Sequence, residues 1–344
     1  MARAEHLSEL VDLLVQRGAK TGHIRRLLRA WMHLGPWEER SNDRYPKRVA
    51  EFLPEFKSRL QGLSRVLPIE SRQPDSMKLI VGLHDGECVE SVLLPRQALC
   101  ISTQVGCAVG CVFCMTGKSG LIRQLSSAEI LAQVAEARAI RPNLKKVVLM
   151  GMGEPSHNLK AVCEAIEFMG TTLGMAHKEI VVSTVGDRRL FEVLPTLSVK
   201  PAIALSLHTT DNEKRRRLLT NAAPLSVEEV LESTLSYAEA TKYPAQIEWT
   251  LMAGVNDTFE EVERLADLLE GRYAMVNFIA VNPIDGSPYQ RPSDAHMQDL
   301  ITILRRRGIV ATIRMSAAQD VDGGCGQLRA RVVGRQSEVQ KENQ

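Results

Sequence analysis

The sequence predicts an α/β chain: a partial (β/α)6-type barrel preceded by a small N-terminal helical domain. Three patterns carry that expectation. From residue 98 onward, seven short apolar runs alternate with six amphipathic runs of helical period, the pattern of strand–helix units wrapped around a parallel sheet. The first 75 residues show helical spacing with little sign of strands. The polar motifs follow the carboxyl ends of predicted strands, where barrels of this kind gather their active sites.

At the front, Leu7, Leu10, Val11 and Leu14 share one face of a first helix, and Gly18 stops it. Ile24, Leu27, Leu28 and Trp31 repeat the spacing in a second helix, which leaves Arg25, Arg26 and Arg29 on the wet side. Residues 47–63 read as a third helix, interrupted at Pro54. Residues 68–76 read as a linker, so the helical domain is placed at 1–75. Two apolar runs meet at Asp85-Gly86, a good hairpin signal, and give a β-hairpin extension over 76–97. The barrel is assigned to 98–335. Its strands are "ALCIST", "KKVVLMG", "KEIVVST", "PAIALSLH", "QIEWTLM", "AMVNFIAVN" and "GIVATIRM". Ser126 with Glu129 forms a capping box at the first barrel helix. Residues 336–344 make a polar tail, expected to be disordered.

The bulk properties narrow the class. The chain has 344 residues, 44% hydrophobic and 24% charged, an ordinary globular composition. No apolar run approaches the roughly 18–20 residues that span a bilayer, and no secretion signal is read, so a cytoplasmic location is expected. Residues 1–74 carry 14 Lys and Arg against 9 Asp and Glu, a net of +5, while the rest carries 29 against 32, a net of −3. A basic front on a slightly acidic body points to an anionic macromolecular partner. The run Lys214 to Arg217 offers further phosphate contacts. Seven cysteines, an odd number in a long chain, favour metal or thiol chemistry over a disulfide scaffold.

Cys107, Cys111 and Cys114 place three thiols in eight residues, directly after the first barrel strand. Zinc knuckles and iron–sulfur clusters ordinarily take four thiolates. Three would leave one iron of a 4Fe–4S cluster open, free to chelate a substrate amine and carboxylate. On the residues alone, a zinc site completed by a distant His or Cys stays open. Gly151 to Pro155, "GMGEP", follows the second strand, and its glycines let a backbone approach a ligand closely. Ser183, Ser206, His208 and Asn282 end later strands and can hydrogen-bond a cofactor. Cys325 sits in the glycine-rich "DGGCGQL", read as a flexible loop that carries an exposed thiol. Cys100 lies seven residues before the cysteine cluster.

The CxxxCxxC spacing, with Phe113 before the last cysteine, resembles the radical S-adenosylmethionine (SAM) superfamily, and "GMGEP" resembles its GGE-type motif. More narrowly, "LCISTQVGCAVGCVFC", "GMGEPSHN", "LSLH", "VNPI" and "CGQL" together resemble the RlmN/Cfr family of radical SAM RNA (adenine) methyltransferases. The match runs from about residue 78 to 335 in family order, and the helical front resembles that family's RNA-binding accessory domain more loosely. The resemblance implies one 4Fe–4S cluster on Cys107, Cys111 and Cys114. It implies two SAM molecules per turnover, with Gly153, Glu154, Ser183, Ser206, Leu207, His208 and Asn282 as the binding residues. The implied reaction is methylation of an adenine ring carbon, carbon 2 in preference to carbon 8, in ribosomal and transfer RNA.

In that scheme Cys325 matches the thiol that first takes a methyl group, Glu90 the acceptor of the ring proton, and Cys100 the thiol that frees the product by forming a disulfide with Cys325. RNA and an electron donor are the expected partners of a monomer. The chain departs from the family pattern at Val185, where Ser is usual, and at Gly323 and Gly324, where alanines are usual. Cys88 and Cys163 match no role, and Cys163 reads as packing beside Ala161, Val162 and Ile166. Two rival classes remain. A radical SAM enzyme of another kind, such as a protein-radical activase, needs neither Cys100 nor Cys325. A metal-containing RNA-binding module needs no catalysis at all.

Overall fold

The computed structural model describes residues 5–39 and 44–329; the polar tail expected over 336–344 lies outside them. Three helices open the chain: α1 (Leu7–Val15), α2 (Thr21–Trp31) and α3 (Lys47–Gln61). Four strands follow: β1 (Ser64–Glu70), β2 (Met77–Leu83), β3 (Cys88–Leu94) and β4 (Ala98–Cys100). A two-stranded ribbon, β5 (Gln104–Gly106) with β6 (Leu121–Gln124), brackets the cysteine loop and the short α4 (Met115–Ser119). Then come α5 (Ser127–Ile140), β7 (Lys146–Leu149), α6 (Leu159–Thr171), β8 (Ile180–Thr184), α7 (Arg188–Val193), β9 (Ala202–Ser206), α8 (Asn212–Leu218), α9 (Val227–Thr241), β10 (Ala245–Leu251), α10 (Phe259–Leu269), β11 (Ala274–Ala280), α11 (Asp294–Arg306) and β12 (Val310–Arg314).

Ten strands form one sheet in the order β1-β2-β3-β4-β7-β8-β9-β10-β11-β12. From β4 to β12 every neighbour is parallel, and β1 to β4 are antiparallel. All seven barrel strands and the hairpin around Asp85-Gly86 form as the sequence predicts. The expected capping box is present: Ser126 Oγ accepts from the Glu129 N–H at 3.1 Å, and Glu129 accepts from the Ser126 N–H at 2.9 Å. Strand alternation leaves one row of side chains facing inward. Glu248 pairs with Ser206 and Asn277, and Asn277 with Thr312.

Three expectations are corrected. Residues 64–70 are a strand, where the stretch between the third helix and the linker, and the start of that linker at residue 68, were expected. Pro68 is tolerated because β1 is the sheet edge, where half of the backbone N–H positions face away from the ladder. Pro54 does not interrupt α3; it and Ala50, whose carbonyl it leaves open, are both exposed to water. The wet face of α2 is partly occupied as well. Arg26 Nε donates to Tyr45 Oη at 2.8 Å, and Arg29 Nη1 donates to the Thr172 carbonyl at 2.8 Å.

The front helices are not a separate lobe. Leu10, Leu14, Leu27 and Phe56 share one continuous core with the barrel helices. The Leu7 N–H donates to Ser127 Oγ at 2.8 Å, and Arg138 Nε donates to the Met32 carbonyl at 3.0 Å. Among the described residues, no helix is long and apolar enough to cross a membrane.

Candidate active site

The cysteine loop is shaped by what holds it from outside. Cys107 N–H donates to the Gly120 carbonyl at 2.9 Å across the β5–β6 ribbon. On the other side the segment after α8 braces it: Val112 N–H donates to the Leu218 carbonyl at 3.1 Å, and Asn221 N–H to the Val109 carbonyl at 2.9 Å. Gly110 has φ +70°, and a Cβ there would lie 2.5 Å from Thr220 Oγ1. Cys107, Val109 and Phe113 pack with Leu218, Leu219, Met252 and Val281 in a small apolar cluster.

This changes the role of the basic run. Arg215 is buried and donates to the Val185 carbonyl. Lys214 pairs with Glu261, and Arg216 with Glu213. Of the four, Arg216 and Arg217 are exposed. The segment is first a scaffold for the cysteine loop, so the expected four-residue phosphate contact shrinks to two. Arg215 is a site residue that its charged neighbours hid in the sequence. The helical period (Arg215 with Leu218 and Leu219 facing in) is the signal that could have found it.

The three thiols line a cavity of about 160 Å³ with Gly153, Glu154, Ser183, Ser206 and His208. Gly153 has φ +102°, and a Cβ there would meet Gln104 Cγ at 2.6 Å, so only glycine suits this approach. The Glu154 carboxylate is fully engaged in the protein. It accepts from Thr184 Oγ1 at 2.6 Å, Val185 N–H at 3.0 Å and Ser156 N–H at 3.1 Å. What this loop leaves to the cavity is mostly backbone. Ser183 and Ser206 hydroxyls lie 3.4 Å apart on adjacent strands.

His208 has φ +66°, and its Nδ1 accepts from the Thr250 N–H at 3.0 Å. Burial, helped by Arg215, lowers its pKa to about 3, so the ring is neutral and carries its proton on Nε2. Leu207 is fully buried in the main core and is not among the residues that border the cavity. The Asn282 Nδ2 donates to Ser316 Oγ and to the Cys325 carbonyl, both at 2.9 Å, while its Oδ1 is buried without a partner.

A second cavity, about 920 Å³, adjoins the first and shares Cys114, Met150, Gly151, Glu248 and Cys325 with it. It runs down the inner face of the sheet past Cys100, Val92 and Val148 to Arg29, Arg96, Lys145 and Lys146. Cys325 is open to this space although protein surrounds it. Burial raises its thiol, and the Glu248 carboxylate adds to that. Burial also raises Cys100, with Cys325 close enough to add like-charge repulsion.

The glycine loop around Cys325 is latched. Met115 N–H donates to the Gly326 carbonyl at 2.8 Å, Thr116 Oγ1 to the Leu328 carbonyl at 2.6 Å, and Gly324 N–H to Gln327 Oε1 at 3.0 Å. A Cβ on Gly324 would lie 2.6 Å from Gln327 Oε1 and 2.8 Å from Asn282 Nδ2. The departure from alanine therefore lets this loop pack closely, where flexibility was expected from the sequence. Glu90 sits beneath the same segment: the Arg329 N–H donates to its Oε2 at 3.0 Å, and Lys78 Nζ lies 3.3 Å from Oε1. Both partners of that ion pair are buried. Burial raises the Glu90 carboxyl, with Lys78 opposing. Cys88 is buried and Cys163 half-buried, and neither borders the two cavities.

The donor set fits an iron–sulfur cluster. Burial holds the Cys107 thiol up to about 12, and burial followed by repulsion from Cys114 and Cys107 raises Cys111 well above its ordinary range. A bound cation reverses that effect and favours the thiolates. Among the described residues, no three His, Cys, Asp or Glu side chains converge on one point as a single ion requires. A cubane asks for something else, one thiolate for each of three separate irons.

Comparison with known proteins agrees. Residues 101–269 match the model of the radical SAM superfamily. The chain is 51% identical over 331 residues to a probable RNA methyltransferase of Chromobacterium violaceum, covering 95% of this chain and 94% of that one. It is 52% identical over 330 residues to another of that description from Thiobacillus denitrificans, covering 95% and 91%. The crystal structure of a radical SAM methyltransferase from Sphaerobacter thermophilus superposes with a TM-score of 0.82 at 30% identity, over 95% of this chain and 98% of that one. Superfamily membership implies a 4Fe–4S cluster and SAM. With its fold, its cysteine loop and relatives that match it nearly end to end, the chain is an enzyme and belongs to the radical SAM RNA methyltransferase family.

Proposed function

We propose that this enzyme methylates a ring carbon of adenine in RNA, as the RlmN/Cfr family does, with carbon 2 the target in preference to carbon 8. Ribosomal RNA is the main substrate and transfer RNA a second. The observation that carries the reading is the meeting of Cys325 and Cys100 on the wall of one cavity that also reaches Cys114 and adjoins the cavity of the other two cluster thiols. A protein-radical activase has no use for that pair, and the named relatives are RNA methyltransferases.

Cys107, Cys111 and Cys114 hold one cluster, and Gly153, Glu154, Ser183, Ser206 and His208 line the SAM site, with Leu207 and Asn282 supporting its wall from outside the cavity lining. When bound, the cluster supplies the electron that cleaves SAM and starts radical chemistry. The chain's own residues do the rest. Cys325 accepts a methyl group on sulfur from a first SAM, losing its thiol proton; that carbon then gives up one hydrogen atom to the radical derived from the second SAM and bonds to the ring carbon. Glu90 takes the proton that leaves the ring carbon. One electron leaves the adduct, and Cys100 then attacks the Cys325 sulfur; the carbon–sulfur bond breaks, an S–S bond forms, the Cys100 thiol proton completes the methyl group on the released carbon, and the methylated RNA departs. The target base must leave its stack to reach this depth, which favours single-stranded or looped RNA. Residues 1–75 act as an accessory RNA-binding region, and an external reductant reopens the Cys100–Cys325 disulfide. The enzyme works as a cytoplasmic monomer.

Mass spectrometry of the Cys325 peptide tests this reading. Protein purified with its cluster and incubated with SAM is expected to carry one added methyl on Cys325. The Cys100→Ala variant is expected to leave RNA covalently attached there. An unmodified Cys325 under both conditions contradicts the proposal.

A further inference from the structure

The barrel wall carries a charged group that the proposed chemistry does not use. Glu248, Asn277 and Thr312 stand abreast on β10, β11 and β12, paired in register. Asn277 Nδ2 donates to Glu248 Oε1 at 2.8 Å, and Thr312 Oγ1 donates to Asn277 Oδ1 at 2.7 Å. Arg314 Nη1 lies 3.6 Å from Glu248 Oε1. The fold thus fixes one carboxylate oxygen and leaves the other: Oε2 is buried and has no hydrogen-bond partner. Glu248 is 5% exposed, yet it borders both cavities.

A buried acceptor is costly to leave without a donor. On a cavity wall beside Cys325, that orphan marks the place of a donor brought by a ligand. Arg314 borders the larger cavity as a donor, and Val148, Met150 and Ile279 offer apolar faces. An adenine matches this set, with an exocyclic amine that donates, ring nitrogens that accept, and a flat apolar body.

We propose that Glu248 and Arg314 form the base-reading subsite: Glu248 Oε2 accepts from the exocyclic amine of the unstacked adenine, and Arg314 donates to a ring nitrogen. This rests on adenine being the target.

The isosteric Glu248→Gln variant tests it sharply. Asn277 donates to the inner position, so it selects the Gln carbonyl there and turns the amide NH2 toward the ligand. An acceptor becomes a donor without a change of shape. The probes are uridine oligoribonucleotides with one central adenosine, purine riboside (no amine) or inosine (a carbonyl in its place), bound to full-length cluster-loaded protein. Wild type is expected to bind the adenosine probe about tenfold more tightly than the purine probe, the effect of one charge-assisted hydrogen bond. The variant is expected to lose that preference and favour inosine over adenosine, with SAM affinity unchanged within about twofold. A variant that keeps the wild-type preference overturns the proposal, as does one that loses SAM and RNA affinity together, which would assign Glu248 to the cofactor. Wild type that prefers a probe other than adenosine overturns it too, and in that case the adenine reading falls with it.

Discussion

Glu90 shows how one residue's surroundings set a condition on the whole reaction. A carboxyl that must take a proton from a ring carbon works only when ionised, and burial raises Glu90 above its ordinary range while Lys78 pulls it back. The sign follows directly: RNA methylation falls as pH drops through the raised Glu90 value, so its acid limb lies above the roughly 4.3 of a free glutamate. Glu90→Gln is expected to slow methylation about a hundredfold or more and to erase that limb. A rate–pH profile left unchanged in the variant counts against Glu90 as the base. Nothing in "CVESVLLP" alone separates this carboxylate from an exposed strand residue; the resemblance singled it out. Its partners, Lys78 on β2 and the Arg329 N–H, are 12 and 239 residues away, which is why the sequence does not display them. The three cluster cysteines are the opposite case, since their whole message is local spacing.

Among the elements, long periodic ones were legible and short or edge ones were not. The seven barrel strands and the capping box of α5 announce themselves through apolar runs and local chemistry. β1 escaped because an edge strand is held by its ladder to β2 and buries little of itself. β5 and β6 are too short for a period to show. The run after His208 was read by charge, whereas the helix period buries Arg215 and exposes Arg217. Two substitutions separate these roles. Arg215→Met leaves the Val185 carbonyl without its donor and is expected to cost about 1–3 kcal/mol in thermal unfolding, with reduced cluster content. Arg217→Ala is expected to leave stability within about 0.5 kcal/mol and to reduce the salt slope of RNA binding by about one. The reverse pattern, a stable Arg215 variant with weakened RNA binding, would restore the whole run to phosphate contact.

For the molecule as a whole, the front helices and the barrel share one hydrophobic core. Leu10, Leu14, Leu27 and Phe56 lie fully buried in the core shared with the barrel helices. Removal of residues 1–62 is therefore expected to destroy the single cooperative unfolding transition, which calorimetry reads. A truncated chain that still melts cooperatively and loses only RNA affinity would make the front a detachable module. The basic excess of that front was plain in the sequence, but its docking onto α5 and α6 was not, because contacts such as the Leu7 N–H to Ser127 join residues 120 apart. Everything in the catalytic proposal converges on Cys325 as the carrier of the transferred carbon. Its most direct test is an anaerobic reconstituted assay of Cys325→Ala, reading SAM cleavage and RNA methylation together. Cleavage of SAM is expected to persist in this variant while no methyl reaches the RNA; methylated RNA from it would remove Cys325 from the reaction.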